Sequence, residues 1–500
     1  MSSLPRLAAG LGRLLQGRWA PLAAFLVGGL AVLGFAPFGQ FWLLPLLLAL
    51  LFQLWRQADG WRQAAWRGGA FGLGLFLGGV SWVYVSLSTF GGMPMPLAAL
   101  ATLLFCAYLA LFPALAGGLF RRFLPAALGR QALLFAGLWA LADLLRGWLF
   151  TGFPWLALGY AQAPPSPLAG YGPLLGVYGL TLLTALAGAC LLSGVRGWVG
   201  LCLLLAGGWG LQQLSWTEAR GEAVSVALVQ GNIAQDLKWQ PERFQATLLL
   251  YRELVAAHPA QLTVLPETAL PALLDYVPQD YLAELKVLAR RQEGDLLLGV
   301  PTGAGASYWN SAVSLGSSPA QQYSKSHLVP FGEFIPPGFA WFLQLARIPM
   351  SSFSAGPVPQ PPLALAGQQV AVNICYEDLF GRELLPAVSE ATLLVNMSNT
   401  AWFGRSLAQA QHLQIAQLRA LETGRPMLRA TNTGMTAVVG PDGRVQAALE
   451  PFTTAVLEAQ VQGYGGLTPY ARLGDWGALL LSLVCLAGGW VVRGGTRRIC

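Results

Sequence analysis

Long uninterrupted apolar runs are the feature that most constrains how this chain can fold. A helix that crosses a bilayer needs roughly 17 to 25 mostly apolar residues. Charged residues make up only 11% of the chain, against about 25% in soluble domains. We therefore predict a polytopic α-helical membrane domain with about eight transmembrane helices. The runs are 19–35, 38–55, 68–88, 95–120, 131–150, 173–193, 197–214 and 475–492.

The positive charges between these runs alternate from one connection to the next. Arginines precede the first run, follow the second, fourth and sixth runs, and end the chain, whereas the intervening connections, including the long loop 151–172, carry no charge. Arginine-rich connections stay in the cytoplasm, which predicts that both termini are cytoplasmic. We therefore expect seven transmembrane helices in 1–214, an extracytoplasmic domain in 215–470, and a last helix with a cytoplasmic tail in 471–500.

The net charge of +7 is unevenly distributed. Residues 215–470 hold 15 Lys and Arg against 20 Asp and Glu, whereas the remainder holds 15 against 3. The basic excess thus belongs to the hydrophobic part of the chain and gives topology signals. We expect no nucleic acid partner, because the sequence shows no cluster of basic and aromatic residues that could form a nucleic-acid-binding groove.

The segment 215–470 alternates short apolar strands with amphipathic helices, which predicts a single α/β domain with layered helices. One of its strands, 370–374, is followed by Cys375 and then by polar residues that open a helical pattern to about residue 390. This pattern predicts a thiol at a strand-to-helix turn. A helix N-terminus would favour the thiolate, which is the nucleophilic form of cysteine.

Cys375 is the only cysteine of the predicted external domain, so it cannot form a disulfide within that domain. The others are Cys106, Cys190, Cys202, Cys485 and Cys500. A lone cysteine is often no more than a small buried hydrophobe. Two further segments favour a catalytic role instead.

A nucleophilic thiol needs a base to accept its proton and a cation to stabilise the oxyanion. Glu267 ends a short strand and can be the base, while Lys325 lies in a Pro- and Gly-punctuated segment and can be the cation. Either side chain alone would usually be a solvated charge. A Cys-His dyad with one of the three histidines, His258, His327 and His412, is the alternative. No metal-ligand spacing occurs, and we expect no metal.

The order Glu267, Lys325, Cys375 resembles the catalytic triad of the nitrilase superfamily. The likeness extends over about 220–460 and includes the segments 396–399 (Asn-Met-Ser-Asn), 402–403 (Trp-Phe), 419–422 (Arg-Ala-Leu-Glu) and 429–434 (Arg-Ala-Thr-Asn-Thr-Gly). The resemblance implies a nitrilase-like α-β-β-α sandwich for the external domain.

A nitrilase-like domain inserted before the last of eight membrane spans resembles the apolipoprotein N-acyltransferases of bacterial inner membranes. The segments 151–155 (Thr-Gly-Phe-Pro-Trp), 176–180 (Gly-Val-Tyr-Gly-Leu) and 229–233 (Val-Gln-Gly-Asn-Ile) carry this likeness. It implies a Glu267, Lys325 and Cys375 triad and periplasmic chemistry. It further implies auxiliary roles for Glu333, Tyr376 and Glu377, and substrate contacts for Trp239 and Asn310. Asp143 departs from the glutamate expected in the fifth span.

The reaction implied by this resemblance is a ping-pong acyl transfer through a thioester on Cys375. The acyl chain comes from the sn-1 position of a phospholipid, for which we expect phosphatidylethanolamine. It is passed to the α-amino group of a diacylglyceryl-cysteine apolipoprotein, which completes lipoprotein maturation. We expect no cofactor, because the ester supplies the driving force, and we expect a monomer surrounded by membrane lipids.

Two other classes of function are compatible with parts of the sequence. A membrane-anchored nitrilase-type amidase would use the same triad with water as acceptor, although a bare anchor needs only one span. A transporter with a degenerate nitrilase-like domain would explain the spans. An intact triad and the lack of recurring intramembrane acidic residues disfavour it.

The segment 334–362 carries seven prolines and many large apolar side chains, among them Trp341 and Phe342. A Pro-rich loop of this length inside a compact domain is usually functional. We therefore predict that it is a mobile lid that contacts lipid and admits it to Cys375, with Trp341 and Phe342 as substrate contacts. Ordinary packing against the sandwich is the alternative.

Overall fold

The computed structural model describes residues 17–305, 307–338 and 352–490. Apolar helices make up the N-terminal part, and one more apolar helix, α13 (Trp476–Trp490), ends the described chain. Among the described residues, the longer N-terminal helices are α1 (Ala20–Ala31), α2 (Leu43–Arg56), α3 (Trp61–Val80), α4 (Met95–Arg122), α5 (Leu128–Arg146), α6 (Gly172–Leu191) and α7 (Gly194–Leu211).

Each of the eight predicted runs thus contains an apolar helix. By length and composition, four helical segments within the described ranges could cross a membrane: Met95–Arg122, Leu128–Arg146, Pro167–Leu191 and Gly194–Leu211. A fifth candidate combines Trp61–Val80 with Val83–Phe90, which are bent by 57° relative to each other. Helices α1, α2 and α13 are apolar but shorter.

Helices α1 and α3 pack closely because glycine lies at their contact. A Cβ atom on Gly28 would lie 1.9 Å from the carbonyl oxygen of Phe71, and one on Gly74 would lie 2.0 Å from that of Phe25. Small residues allow such backbone approach between apolar helices, where dispersion contacts hold the pair together.

A buried ion pair at the end of α5 shapes the loop that follows it. Nη2 of Arg146 lies 2.8 Å from Oδ1 of Asp143, and Nη1 donates to the carbonyl oxygens of Phe153 and Trp155. Arg146 is only 1% exposed. The pair therefore orders the loop 147–155, and Asp143 makes the same kind of contact that a glutamate could.

The C-terminal half contains two six-stranded mixed sheets, in the orders β12-β11-β10-β9-β8-β7 and β13-β2-β3-β4-β5-β6, and a small pair β1-β14. The strands are β1 (Glu218–Ala219), β2 (Val224–Gln230), β3 (Leu262–Val264), β4 (Asp295–Ala304), β5 (Ser307–Gly316), β6 (Gln322–Ser324), β7 (Leu363–Leu365), β8 (Gln368–Ile374), β9 (Leu393–Ser398), β10 (Met427–Thr431), β11 (Ala437–Val439), β12 (Val445–Ala448), β13 (Ala455–Val461) and β14 (Tyr464–Gly465).

Helices cover the outer faces of both large sheets. Helices α8 (Pro241–Ala257) and α9 (Gln279–Arg290) pack on the sheet that contains β4, and α10 (Gly381–Val388) and α11 (Ala408–Thr423) pack on the sheet that contains β9. A short helix, α12 (Pro469–Leu473), leads to α13.

The inner faces of the two sheets share one hydrophobic core, which includes Val264 from one sheet and Val372 and Val395 from the other. Strands β8, β9 and β10 are parallel neighbours, as are β2, β3 and β4. Strands buried on both faces are predominantly apolar. These strands could therefore be recognised in the sequence as short apolar segments. The predicted α-β-β-α sandwich is confirmed.

The sandwich packs directly against the helices of the N-terminal half. Tyr376, Phe380 and the α11 residue Leu418 belong to the same buried cluster as the membrane-type helices. At Gly176 (φ +65°) the chain deviates from helical geometry in α6, and the next amide, on Val177, donates to Glu422 of α11 over 2.6 Å. The sheet that contains β8 is therefore fixed to the helical part through buried contacts.

Candidate active site

Cys375 follows directly after β8 and lies at a sharp turn of the chain. Its φ is +55°, which is rare for a residue with a side chain. Its carbonyl oxygen accepts from Nδ2 of Asn396 at 3.2 Å and lies 3.3 Å from Nε2 of His412. These two side chains help to hold the strained backbone, so that the thiol stands at the end of the strand.

The helix after Cys375 differs from the predicted one. A short 3-10 turn, Cys375–Leu379, comes first, and α10 follows as a separate helix that ends at Val388. Burial raises the pKa of the Cys375 thiol, and the nearby Glu267 carboxylate acts in the same direction. Burial thus opposes the predicted effect of a helix N-terminus, and the thiol needs a base, as the sequence also predicted.

Glu267 is positioned to be that base. It follows β3, and its carboxylate accepts from Nδ2 of Asn310 at 2.7 Å and from the amide of Asn399 at 2.7 Å. Burial acts to raise the pKa of Glu267, but Lys325 and these hydrogen bonds outweigh it and hold the pKa below its usual value. Glu267 is therefore ionised at neutral pH and can accept a proton.

Lys325 lies between two carboxylates. Its Nζ is 3.5 Å from Oε1 of Glu267 and 2.9 Å from Oε2 of Glu333, and the side chain is 1% exposed. Burial alone would lower the pKa of Lys325, but Glu333 and Glu267 raise it above its usual value. The structure thus provides a permanent, desolvated cation beside the base.

Asn310 and Glu333 complete this group. Nδ2 of Asn310 donates to both Glu267 and Glu333, over 2.7 and 3.1 Å. Oε2 of Glu333 also accepts from the amide of Val329. Asn310 therefore orients the two carboxylates. From the sequence, Asn310 was predicted only to contact the substrate.

Glu377 links the lysine segment to the nucleophile turn. Its carboxylate accepts from the amides of Ser326, His327 and Ile374 and from the hydroxyls of Ser326 and Tyr323, over 2.7 to 3.1 Å. Because these partners flank Lys325 or precede Cys375, the Glu377 carboxylate joins the segments that carry the lysine and the thiol.

Tyr376 connects the nucleophile turn to the helical half. Its hydroxyl donates to the carbonyl oxygen of Gly152 at 2.8 Å, within the loop that Arg146 holds. Its ring lies near those of Phe153 and Phe380. The structure therefore places Tyr376 beside the nucleophile, at the contact between the two halves.

Sequence reasoning did not single out Lys238 as a site residue. It is 2% exposed, and its Nζ donates to the carbonyl oxygen of Glu267 at 3.2 Å. Burial lowers the pKa of Lys238 to about 8. The only feature of the sequence that could have identified Lys238 as a site residue is its position directly before Trp239. Trp239 itself is partly buried.

A second buried group that the sequence did not reveal lies below the nucleophile turn. The Asp378 carboxylate lies 2.8 Å from Nε2 of His412 and accepts a hydrogen bond from Nη1 of Arg429 at 3.1 Å. Arg429 also donates to Asn396. His412 thus contacts the backbone of Cys375 and the carboxylate of Asp378. His327 pairs with Glu383 at 3.0 Å. These contacts favour Glu267 over either histidine as the base.

The two predicted lipid contacts Trp341 and Phe342 lie outside the described residues. Within 352–362, the described end of the predicted lid, two residues form hydrogen bonds with the segment that carries Lys325. The amide of Gly356 donates to the carbonyl oxygen of Lys325 at 2.8 Å, and Gln360 exchanges two hydrogen bonds with the backbone of Ser324.

A buried carboxylate, a buried lysine and a thiol at the ends of strands in a two-sheet sandwich can perform acyl transfer through a thioester. The carbon-nitrogen hydrolase family profile matches residues 225–470. The C-terminal half is therefore a carbon-nitrogen hydrolase domain. A solved structure of a Nesterenkonia AN1 amidase from the nitrilase superfamily is 20% identical, with a TM-score of 0.38, and the match covers 51% of this chain and 94% of that chain.

The apolipoprotein N-acyltransferase N-terminal domain profile matches residues 27–190. An apolipoprotein N-acyltransferase of Nitrosomonas europaea is 51% identical over 97% of this chain and its own whole length. Another, from Chromobacterium violaceum, is 47% identical over 95% of this chain and 94% of its length. The chain belongs to the apolipoprotein N-acyltransferase family.

Proposed function

We propose that the protein transfers an acyl chain from a phospholipid to the α-amino group of a diacylglyceryl-cysteine apolipoprotein, through a thioester on Cys375. The observation that carries this proposal is the Glu267, Lys325 and Cys375 group within a chain that resembles named acyltransferases over nearly its whole length. Glu267, Lys325 and Cys375 are the proposed catalytic residues.

In the first half-reaction, the Cys375 sulfur attacks the sn-1 ester carbonyl while Glu267 accepts the thiol proton. Lys325 and main-chain amides stabilise the tetrahedral oxyanion. Collapse of this intermediate breaks the ester C–O bond, and Glu267 returns the proton to the departing lysophospholipid. Cys375 then carries the acyl chain as a thioester.

In the second half-reaction, the neutral α-amine of the apolipoprotein attacks the thioester carbonyl. Glu267 accepts a proton from the attacking nitrogen, and the C–S bond breaks as the amide forms. The thiolate regains that proton from Glu267. Substrate contacts are proposed for Trp239, Trp341 and Phe342, and a supporting role for Asn310, Glu333, Tyr376 and Glu377.

We further propose that residues 1–214 hold seven membrane spans, that 215–470 form a periplasmic catalytic domain, and that 471–500 hold the last span and a cytoplasmic tail in the bacterial inner membrane. The alternating arginine-rich connections support this topology. Phosphatidylethanolamine as donor and a monomeric protein belong to the same proposal.

Product analysis separates transfer from hydrolysis. With dioleoyl phosphatidylethanolamine and a synthetic diacylglyceryl-cysteine lipopeptide, we expect the lipopeptide to gain one oleoyl mass on its α-amine. A lipopeptide with an acetylated α-amine is the matched control and should gain none. Release of free oleate at the same rate with either peptide would identify a hydrolase that uses water and would contradict the proposal.

Reporter fusions test the topology. Fusions after Ser215 and after Gly465 should both report the periplasmic side, because an odd number of spans precedes each of them. A fusion after Arg498 should report the cytoplasm. A cytoplasmic signal at Ser215 would contradict both the number of spans and the access of the site to exported lipoproteins.

A further inference from the structure

A cavity of about 520 Å³ lies where the two halves of the protein meet. One wall comes from the turn after α5, with Gly147, Trp148 and Thr151, and the other comes from the catalytic domain. Its catalytic-domain wall includes Ser326 and Phe380. Ser326 follows Lys325 directly, and the Phe380 ring lies 5.2 Å from that of Tyr376. The cavity therefore adjoins the neighbours of both the catalytic cation and the nucleophile.

The cavity is apolar over much of its wall, and Arg382 adds a cationic side chain to it. Leu328, Phe334 and Phe353 supply apolar surface. Glu383 is paired with His327 at 3.0 Å. Arg382 is exposed and interacts electrostatically with Asp475, but in the part of the chain that the structure describes, no carboxylate lies within ion-pair distance of its guanidinium. The guanidinium can therefore form an ion pair with an anionic group of a ligand.

The neighbouring side chains indicate that this cavity opens at the level of lipid headgroups. Trp148 is 63% exposed and Phe150 is 78% exposed, and both follow the end of the apolar helix α5. Tryptophan and other aromatic residues accumulate where a membrane meets water. An arginine at the same depth can reach a phosphate without entering the hydrocarbon layer.

We propose that this cavity binds the phosphodiester of the donor glycerophospholipid, with Arg382 as its phosphate ligand. A planar guanidinium pairs with two phosphate oxygens in a fixed geometry. The inference rests on the proposed function, which requires a phospholipid to present its ester to Cys375. It also distinguishes the two lipids that share the site, because the donor carries a phosphate that can pair with Arg382 and the diacylglyceryl-cysteine of the acceptor carries none.

Equilibrium binding to the Cys375→Ala protein tests this site without turnover. We expect Arg382→Gln in that background to weaken binding of radiolabelled dioleoyl phosphatidylethanolamine in detergent micelles about tenfold, the loss of one charge-assisted hydrogen bond. Binding of dioleoylglycerol, which has no phosphate, should change little. Arg252→Gln removes a half-buried arginine on α8 that lies 3.9 Å from Glu284 and is the matched control.

Several outcomes would overturn the assignment. Equal phospholipid affinity with and without Arg382 would do so, as would an equal loss for dioleoylglycerol, which would indicate altered packing of the wall. Displacement of the lipid by inorganic phosphate at a concentration near the lipid's own Kd would identify a site for free phosphate. A weakened affinity for the lipopeptide alone would identify an acceptor site. If binding depends on Arg382 but the Cys375 protein never becomes acylated, the proposed function fails and the phosphate site stands.

Discussion

Cys375→Ala is expected to abolish the acyl-enzyme. Purified protein mixed with phosphatidylethanolamine should gain one acyl mass, the adduct should be released by hydroxylamine as thioesters are, and the alanine variant should gain none. Because no other group in the proposed mechanism can attack the ester, the rate of transfer should fall about 10⁴-fold or more. Intact-protein mass spectrometry and the lipopeptide assay measure the two effects.

Cys202→Ala is the matched control for this experiment. Cys202 is an exposed thiol on α7, so it is more accessible than the nucleophile yet lies outside the proposed chemistry. Its replacement should leave both the adduct and the transfer rate unchanged. An acyl mass that persists in the Cys375→Ala protein and disappears in the Cys202→Ala protein would reverse the assignment.

Lys325→Met is expected to have the second large effect, on both rate and stability. The loss of an oxyanion-stabilising group costs about 10²- to 10³-fold in rate. Removal of one partner from a buried ionic group costs about 3 to 5 kcal/mol, since it leaves charge uncompensated. Here Glu267 and Glu333 would both lose the ammonium that they share. Thermal unfolding in detergent and the rate of thioester formation report the two effects separately.

A double variant separates the catalytic role of Lys325 from its structural one. In the Lys325→Met protein, Glu333→Gln removes one of the two carboxylates that have lost their cation. Stability should therefore recover in part, while thioester formation stays slow. Lys286→Met, which changes an exposed lysine on α9, should alter neither. If the double variant regains the wild-type rate of acylation, Lys325 acts only through folding and the proposed mechanism is wrong.

From the sequence alone we could predict the apolar helices, the sandwich and the three residues on which the chemistry is proposed to depend. Apolar runs mark helices because a lipid-facing helix must be hydrophobic over most of its surface. Strands buried on both faces, such as β8, are continuous apolar segments, so the residue at the end of each strand could be read directly. Cys375, Glu267 and Lys325 stand directly after such strands or within a few residues of their ends.

The contacts between residues that are far apart in the chain can be seen only in the three-dimensional structure. The sequence gives no distance between Asn310 and Glu267 or between Glu377 and Ser326, because pairing of the strands sets these distances. The sequence also predicted that a helix N-terminus would favour the thiolate, whereas burial in the folded protein raises the pKa of the Cys375 thiol. Desolvation depends on everything packed around a group, and local sequence cannot report it.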